Sequence, residues 1–370
     1  MAHVRDEFLQ VFGSSFDERE LEAVRDSLER GWIGMGPQVA LFEEALGERL
    51  GAEVVMVNSG TSALQLAVEL LELPPGSEVV LPSFTWVGCA HAVALAGHTP
   101  VFADVELESA NLTAANVEPA LGARTAAVMP VHYAGKPARL DELAELELPM
   151  IEDAAHAVDS ELRGRRCGAI GRVGVLSFDS VKNLATPDGG AVVTAEPELA
   201  ERARRLRHCG IGRSGFERRG EGRWWEHDIE RAFPKLLPND VSAGIGLVQL
   251  EKLDAMQERR REIWDAYSAE LGHLGWLALP PGPAADERHS WFTYLVRELD
   301  GRRDELAGTL LDQGIYTTLR YSPLHRIGPY ATPASLPATE RLADEGLNLP
   351  LHPRMTDADV ERVVSALTAF

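Results

Sequence analysis

The sequence predicts an α/β fold: a mainly parallel sheet of the seven-stranded type between helices, followed by a smaller α+β domain at the C-terminus. Three observations carry this. Short apolar runs alternate with helical patterns through the first half of the chain, the rhythm of strand–helix–strand units. A long helical run, "GIGLVQLEKLDAMQERRREIWDAYSAEL", then reads as a connector. Beyond it the alternation gives way to a mixture of strand and helix. The large domain, N-terminal helices included, is expected over residues 1–250 and the small domain over 251–370.

The elements follow in order. The first is a helix, "SFDERELEAVRDSLERG", in which Leu21, Val24 and Leu28 form a stripe at helical spacing. A second helix, "VALFEEALGERLG", stops at Gly51, a residue suited to a helix C-terminus. Seven candidate strands come next, in "EVVMVNSG", "EVVLPSF", "TPVFADV", "TAAVMPVHY", "PMIEDAA", "VGVLSFD" and "GGAVVTA". Helices "TSALQLAVELLEL" and "WVGCAHAVALAG" follow the first two of them. The segment "GIGRSGFERRGEGRWWEHD" reads as a long loop, and "RWWEHD" within it could cover a site mouth. The small domain carries "WFTYLVREL", a helix "RRDELAGTLLDQG", a strand around "IYTTLRY" and a last helix "DADVERVVSALTAF".

Composition bounds the function. A chain of 370 residues that is 45% hydrophobic can bury a large core. A formal charge of -21 argues against a nucleic-acid partner, because phosphate backbones require a cationic surface. The charged start and the short, interrupted apolar runs predict no membrane span and a cytoplasmic location. Cys89, Cys167 and Cys209 are widely separated, which predicts buried or incidental thiols and no metal site.

Four segments carry residues suited to chemistry, and each has an ordinary structural alternative. Lys182 follows a strand end, where α/β proteins place their sites, yet alone it reads as a solvated charge. "NSGTSAL" puts Gly60, Thr61 and Ser62 at a helix N-terminus, a natural phosphate cradle, although Ser59 or Thr61 can simply cap the helix. "MIEDAAH" ends a strand on Asp153 with His156 close behind; the carboxylate can face a cationic ring nitrogen or be a satisfied core group. Trp86 can stack on a planar ring or pack in the core. Taken together, a phosphate cradle, an aromatic platform, a carboxylate and an imine-forming lysine make the set that pyridoxal 5′-phosphate requires.

At this point the chain resembles the DegT/DnrJ/EryC1/StrS sugar aminotransferases, which have the fold type I, aspartate-aminotransferase-like architecture of PLP-dependent transferases. The likeness runs from "GWIGMGPQVALFEEALGERLGAEVVMVNSGTSAL" through "IEDAAHAVDSELRGRRCGAIGRVGVLSFDSVKNL" and "AGIGLVQLEKLD" to "YSPLHRIGPY" and "LNLPLHP". It implies that Lys182 is the imine-forming lysine, Asp153 the partner of the pyridine nitrogen, and His156 the neighbour of the ring hydroxyl. Trp86 would cover the ring face, with Gly60, Thr61, Ser62 and Ser177 on the phosphate. It further implies a homodimer with active sites at the interface, in which Lys235 of "AFPKLLPNDVSAGIG" reaches the other chain's phosphate site. The implied reaction moves an amino group from L-glutamate to a keto-sugar, commonly a nucleotide-linked keto-deoxyhexose.

Three positions depart from the family pattern. "PDGG" stands for "GEGG" and brings Asp188; "LRHCG" stands for "LRNHG" and puts Cys209 at a histidine position; "RY" stands for "HY" before "PLH" and brings Arg320 beside Tyr321, with His325 kept. Tyr321, His325 and Arg320 are expected on the substrate side. Arg320 could bind a substrate carboxylate or phosphate, or form a surface ion pair. Two other readings are a dehydratase using pyridoxamine phosphate, whose relatives carry histidine at position 182, and a regulatory or sensory homologue without turnover.

Overall fold

Seven strands form one sheet in the computed structural model, which describes residues 8–212, 223 and 225–370. They are β1 (Glu53–Val57), β2 (Glu78–Pro82), β3 (Thr99–Ala103), β4 (Thr125–Val128), β5 (Ile151–Asp153), β6 (Val173–Ser177) and β7 (Gly190–Thr194). Hydrogen-bonded ladders give the orders β1-β7-β6-β5 and β4-β2-β3. Parallel bridges Val128↔Met150 and Val131↔Asp153 join the two halves. Neighbours run parallel except at β7, which is antiparallel to both β1 and β6. The mainly parallel sheet is as predicted. The reversal at β7 left no trace in "GGAVVTA", because a fully buried strand reads the same in either direction.

Around the sheet lie helices α1 (Glu18–Glu29), α2 (Pro37–Leu50), α3 (Gly60–Leu70), α4 (Val87–Leu95), α5 (Pro197–Leu206) and α6 (Asp240–Leu271). Strand alternation sends side chains to opposite faces. Val55 and Val57 of β1 pack with Leu66 and Leu70 of α3, whereas Val54 and Met56 pack with Phe42 and Leu46 of α2. Both faces of β1 are therefore buried, which is why residues 54–57 are continuously apolar. Pro37 opens α2, and Gly51, at φ 67°, closes it in the left-handed conformation that glycine tolerates.

The long helix is shared between two cores. Leu253 and Met256 pack beneath the large sheet, while Ile263, Trp264, Tyr267 and Leu271 belong to a second core. That core is built on the antiparallel strands β8 (Leu277–Ala278), β9 (Tyr294–Glu298) and β10 (Gly346–Leu349). Helices α7 (Arg303–Asp312), α8 (Pro337–Glu345) and α9 (Asp357–Thr368) complete this half, with α7 and α9 supplying Leu306, Leu310, Val363 and Leu367 to the second core.

The first helix forms as expected, and one later segment is corrected. The Leu21/Leu28 stripe of α1 faces outward, each side chain being 59% exposed. The helix instead docks on α6 by its small and polar face. Glu20 is buried and pairs with Lys252 at 2.7 Å and Gln249 at 2.6 Å, and Ala23 and Ser27 lie against Gly244. The segment "IYTTLRY" is not a strand: it makes single bridges, Ile315 to Leu9 and Thr318 to Asn348. The predicted loop "GIGRSGFERRGEGRWWEHD" lies largely outside the described residues. Among the described residues no helix is long and apolar enough to cross a membrane.

Close backbone approach gives a test of the sheet's geometry. A Cβ on Gly174 of β6 would overlap the Gly168 carbonyl. Gly174→Ala is expected to destabilise the protein by about 1–3 kcal/mol. The measurement is a urea titration, where a lower midpoint at constant slope is expected; an unchanged midpoint would mean the Gly168 turn yields freely.

Candidate active site

The C-terminal ends of β1, β2, β5 and β6 open onto one cavity of about 480 Å³. Its wall includes Ser59, Gly60 and Thr61 after β1, Trp86 after β2, Asp153 and His156 at β5, and Ser177 and Lys182 at and beyond β6. Arg320 and Tyr321 close it from the C-terminal part of the chain.

The cradle is set by backbone contact. A Cβ on Gly60 would lie 2.7 Å from the Ser177 hydroxyl, and one on Gly190 would lie 2.6 Å from the Gly60 nitrogen. These glycines thus let β6, β7 and the α3 N-terminus meet. Ser59 is the cap, its Oγ accepting from the Ser62 amide at 3.1 Å, so the capping alternative is realised at that residue. Gly60 and Thr61, whose amides have no partner within the helix, line the wall together with Ser177. Ser62 is not on the wall; its hydroxyl accepts from Ser59 at 3.0 Å. Lys235 is exposed, bridges His208 through backbone, and does not line the cavity of its own chain.

Asp153 is buried and doubly held. Its Oδ1 accepts from the Ala155 amide at 3.0 Å and its Oδ2 from the Cys89 thiol at 3.1 Å. Cys89 in turn lies 3.4 Å from the Thr85 hydroxyl. Cys89 is therefore part of the site's support, a role sequence reasoning missed. Its signal was its position one turn beyond Trp86, on the face of α4 turned to the sheet.

Trp86 is 50% exposed, its ring open to the cavity and 5.9 Å from that of Tyr321. The His156 ring stacks on Phe292 at 4.0 Å, and its Nε2 lies 3.0 Å from the Tyr321 hydroxyl. Burial, with the positive charges of Lys182 and Arg320, holds the His156 pKa well below its usual value, so the ring is neutral. Burial pushes Tyr321 up to about 12, so the phenol keeps its proton for Nε2. His156 Nδ1 is buried and has no hydrogen-bond partner among the described residues.

Lys182 is buried at the centre, with Nζ 5.0 Å from the Phe292 ring centroid. Burial first, and the Arg320 charge second, lower its pKa to about 8. The solvated-charge alternative does not describe this lysine. Arg320 packs over Phe12 at 4.1 Å and forms no carboxylate ion pair among the described residues. Asp188 lines the cavity, with its pKa raised by partial burial. Cys209 and His325 do not line it. His325 is buried, with Nδ1 2.7 Å from the Ser83 hydroxyl and Nε2 3.3 Å from Glu340. It ties the loop after β2 to α8.

Residues 14–368 match the DegT/DnrJ/EryC1/StrS aminotransferase family. The chain belongs to this family. It is 40% identical over 353 residues to a dTDP-4-dehydro-2,3,6-trideoxy-D-glucose 4-aminotransferase of Saccharopolyspora spinosa, covering 93% of this chain and 92% of that one. The aminotransferase TlmJ from Streptoalloteichus hindustanus superposes with a TM-score of 0.92 at 43% identity, over 98% of each chain. A sugar aminotransferase described as putative, Spr1654 from Streptococcus pneumoniae, solved in its PMP form, gives 0.92 at 25% identity over 97% and 98%. The architecture is thus fold type I, and the protein is a pyridoxal phosphate-dependent aminotransferase. The site fits that cofactor on its own evidence. The glycine-permitted cradle suits a phosphate, Asp153 suits a protonated ring nitrogen, and the unpartnered His156 Nδ1 is a donor that a ring oxygen would satisfy.

The lowered Lys182 pKa is directly measurable in this aminotransferase. An amine reacts only when neutral, and it is neutral above its pKa. In the cofactor-free protein, modification of Lys182 by a small electrophile should reach half its maximal rate near pH 8; a midpoint near 10.5, the ordinary lysine value, would contradict the burial argument.

Proposed function

We propose that this aminotransferase moves an amino group from L-glutamate to the ketone of a nucleotide-linked keto-deoxyhexose, as a step in making an amino sugar. The observation that carries the reading is that Lys182 and Asp153 line one cavity together with the residues of a helix N-terminus. The acceptor class is supported by the Saccharopolyspora spinosa relative, whose name specifies a dTDP-linked 4-dehydro sugar. Bound in this cavity, pyridoxal phosphate supplies an electron sink and carries the amino group between the two substrates. Asp153 is assigned to its ring nitrogen, His156 to its ring hydroxyl and Trp86 to its ring face. Gly60, Thr61 and Ser177, which line the cavity, are assigned to its phosphate, whereas Ser62 stays with Ser59. Lys182 Nζ, half neutral near pH 8, would take the proton from the donor's α-carbon in one half-reaction and supply a proton to the sugar carbon that becomes aminated in the other, each time exchanging it with the bound cofactor. Tyr321 orients His156 and, with Trp86, bounds the sugar.

A homodimer belongs to this reading. Large apolar side chains stand exposed between Phe16 and Leu41: Leu21, Leu28, Trp32 and Ile33 are each more than half exposed. A second copy of the chain would cover such a patch, and Lys235 would then serve the other chain's phosphate cradle. The unpaired state of all three cysteines supports a cytoplasmic location.

Two measurements test the reading. Holoenzyme incubated with L-glutamate and a panel of nucleotide-linked keto-sugars should yield an amino sugar by mass spectrometry, and Lys182→Ala should lower the rate at least about 10²-fold; wild type and variant equally inert would overturn it. Sedimentation should give a dimer, and the double substitution Leu28→Glu with Trp32→Glu should give a monomer. A wild-type monomer would exclude the shared site.

A further inference from the structure

Arg320 is a cation in search of an anion. Its backbone is fixed on both sides, the amide donating to Asn348 Oδ1 at 2.8 Å and the carbonyl accepting from the Tyr133 hydroxyl. Its guanidinium rests on the Phe12 ring and turns to the cavity. Yet in a chain with 57 acidic and 36 basic side chains it pairs with no carboxylate among the described residues. Three carboxylates line the wall, and each is engaged by backbone: Asp153 by Ala155, Asp179 by Val181, and Asp188 by Gly189. A partly buried guanidinium without a counter-ion is costly, and a bound oxyanion would offset that cost.

Position separates the possible anions. Arg320 Cζ lies 6.0 Å from the Phe292 ring centroid, and Lys182 Nζ lies 5.0 Å from the same point. These distances put the guanidinium and the amine no more than about 11 Å apart, and the Arg320 charge acts on Lys182, so an anion on Arg320 lies on the same side of the cavity as the reacting nitrogen. An amino acid carries its carboxylate one carbon from its reacting amine. A nucleotide-linked sugar carries its diphosphate across the hexose ring from the ketone. The cofactor's phosphate has its own cradle at the α3 N-terminus.

We propose that Arg320 binds the carboxylate beside the reacting amine of the amino donor, and so makes this enzyme selective for amino acids over simple amines. The fork of the guanidinium suits a bidentate carboxylate, which the histidine usual in the family cannot match. The inference rests on the proposal that the donor is an amino acid.

The test uses the holoenzyme and Arg320→Gln, whose backbone contacts to Asn348 and Tyr133 do not need the guanidinium. Calorimetry with glutarate, an unreactive dicarboxylate, should show binding weakened about 10- to 100-fold in the variant. The KM for L-glutamate should rise by a similar factor, while affinity for a nucleoside diphosphate should be unchanged. Arg320→Lys, which keeps charge but not the fork, should fall between, and matched thermal unfolding confirms that both variants are folded. Unchanged glutarate binding, or loss of nucleoside diphosphate binding in its place, would overturn the proposal. If L-glutamate fails with wild type while glutarate binding still depends on Arg320, the donor assignment fails and the carboxylate site stands.

Discussion

Three backbone segments meet where no side chain fits, and the active site is organised by that contact. Gly60, Gly190 and Ser177 bring the α3 N-terminus onto β6 and β7 within van der Waals distance. The approach aims the helix's free amides at the cavity and puts the Ser177 hydroxyl beside them. It also fixes the start of the loop that carries Lys182, since Phe178 and Gly189 are hydrogen-bonded at 2.8 Å across the base of that loop. The helix N-terminus proposed to hold the cofactor's phosphate and the loop of Lys182 thus share one mechanical origin.

The electrostatics of the cavity run against those of the molecule. The surface is strongly acidic, with a formal charge of -21 for the chain, while two cations, Lys182 and Arg320, stand together around Phe292. Their mutual repulsion adds to desolvation in lowering the lysine's pKa. The same amine that burial makes a usable base near neutrality is therefore sharpened by a neighbour that also suits an incoming carboxylate.

Much of this was legible in the sequence, and what was not has physical reasons. All seven strands of the sheet were readable because most of their residues are buried and apolar and helices or turns punctuate them. Lys182, Asp153, His156, Trp86, Thr61 and Ser177 were readable because they follow strand ends, and they do share one cavity. The periodicity of Leu21 and Leu28 marked α1 as a helix but carried no sign of which way the stripe faces, and it faces outward. Cys89 was passed over because a lone thiol carries no motif; its contact with Asp153 is a matter of sheet and helix placement. His325 was expected near substrate, but its partners Ser83 and Glu340 are distant in sequence, so its tying role was invisible. "IYTTLRY" has strand-like residues, yet they find only single bridging partners.

The sharing of α6 between two cores has a mechanical consequence. At 32 residues the helix is about 48 Å long, and it is clamped by packed side chains at both ends. It works as a splint across the molecule. The half bearing Arg320 and Tyr321 cannot swing away from the half bearing Lys182 without bending that rod or stripping one of its anchorages.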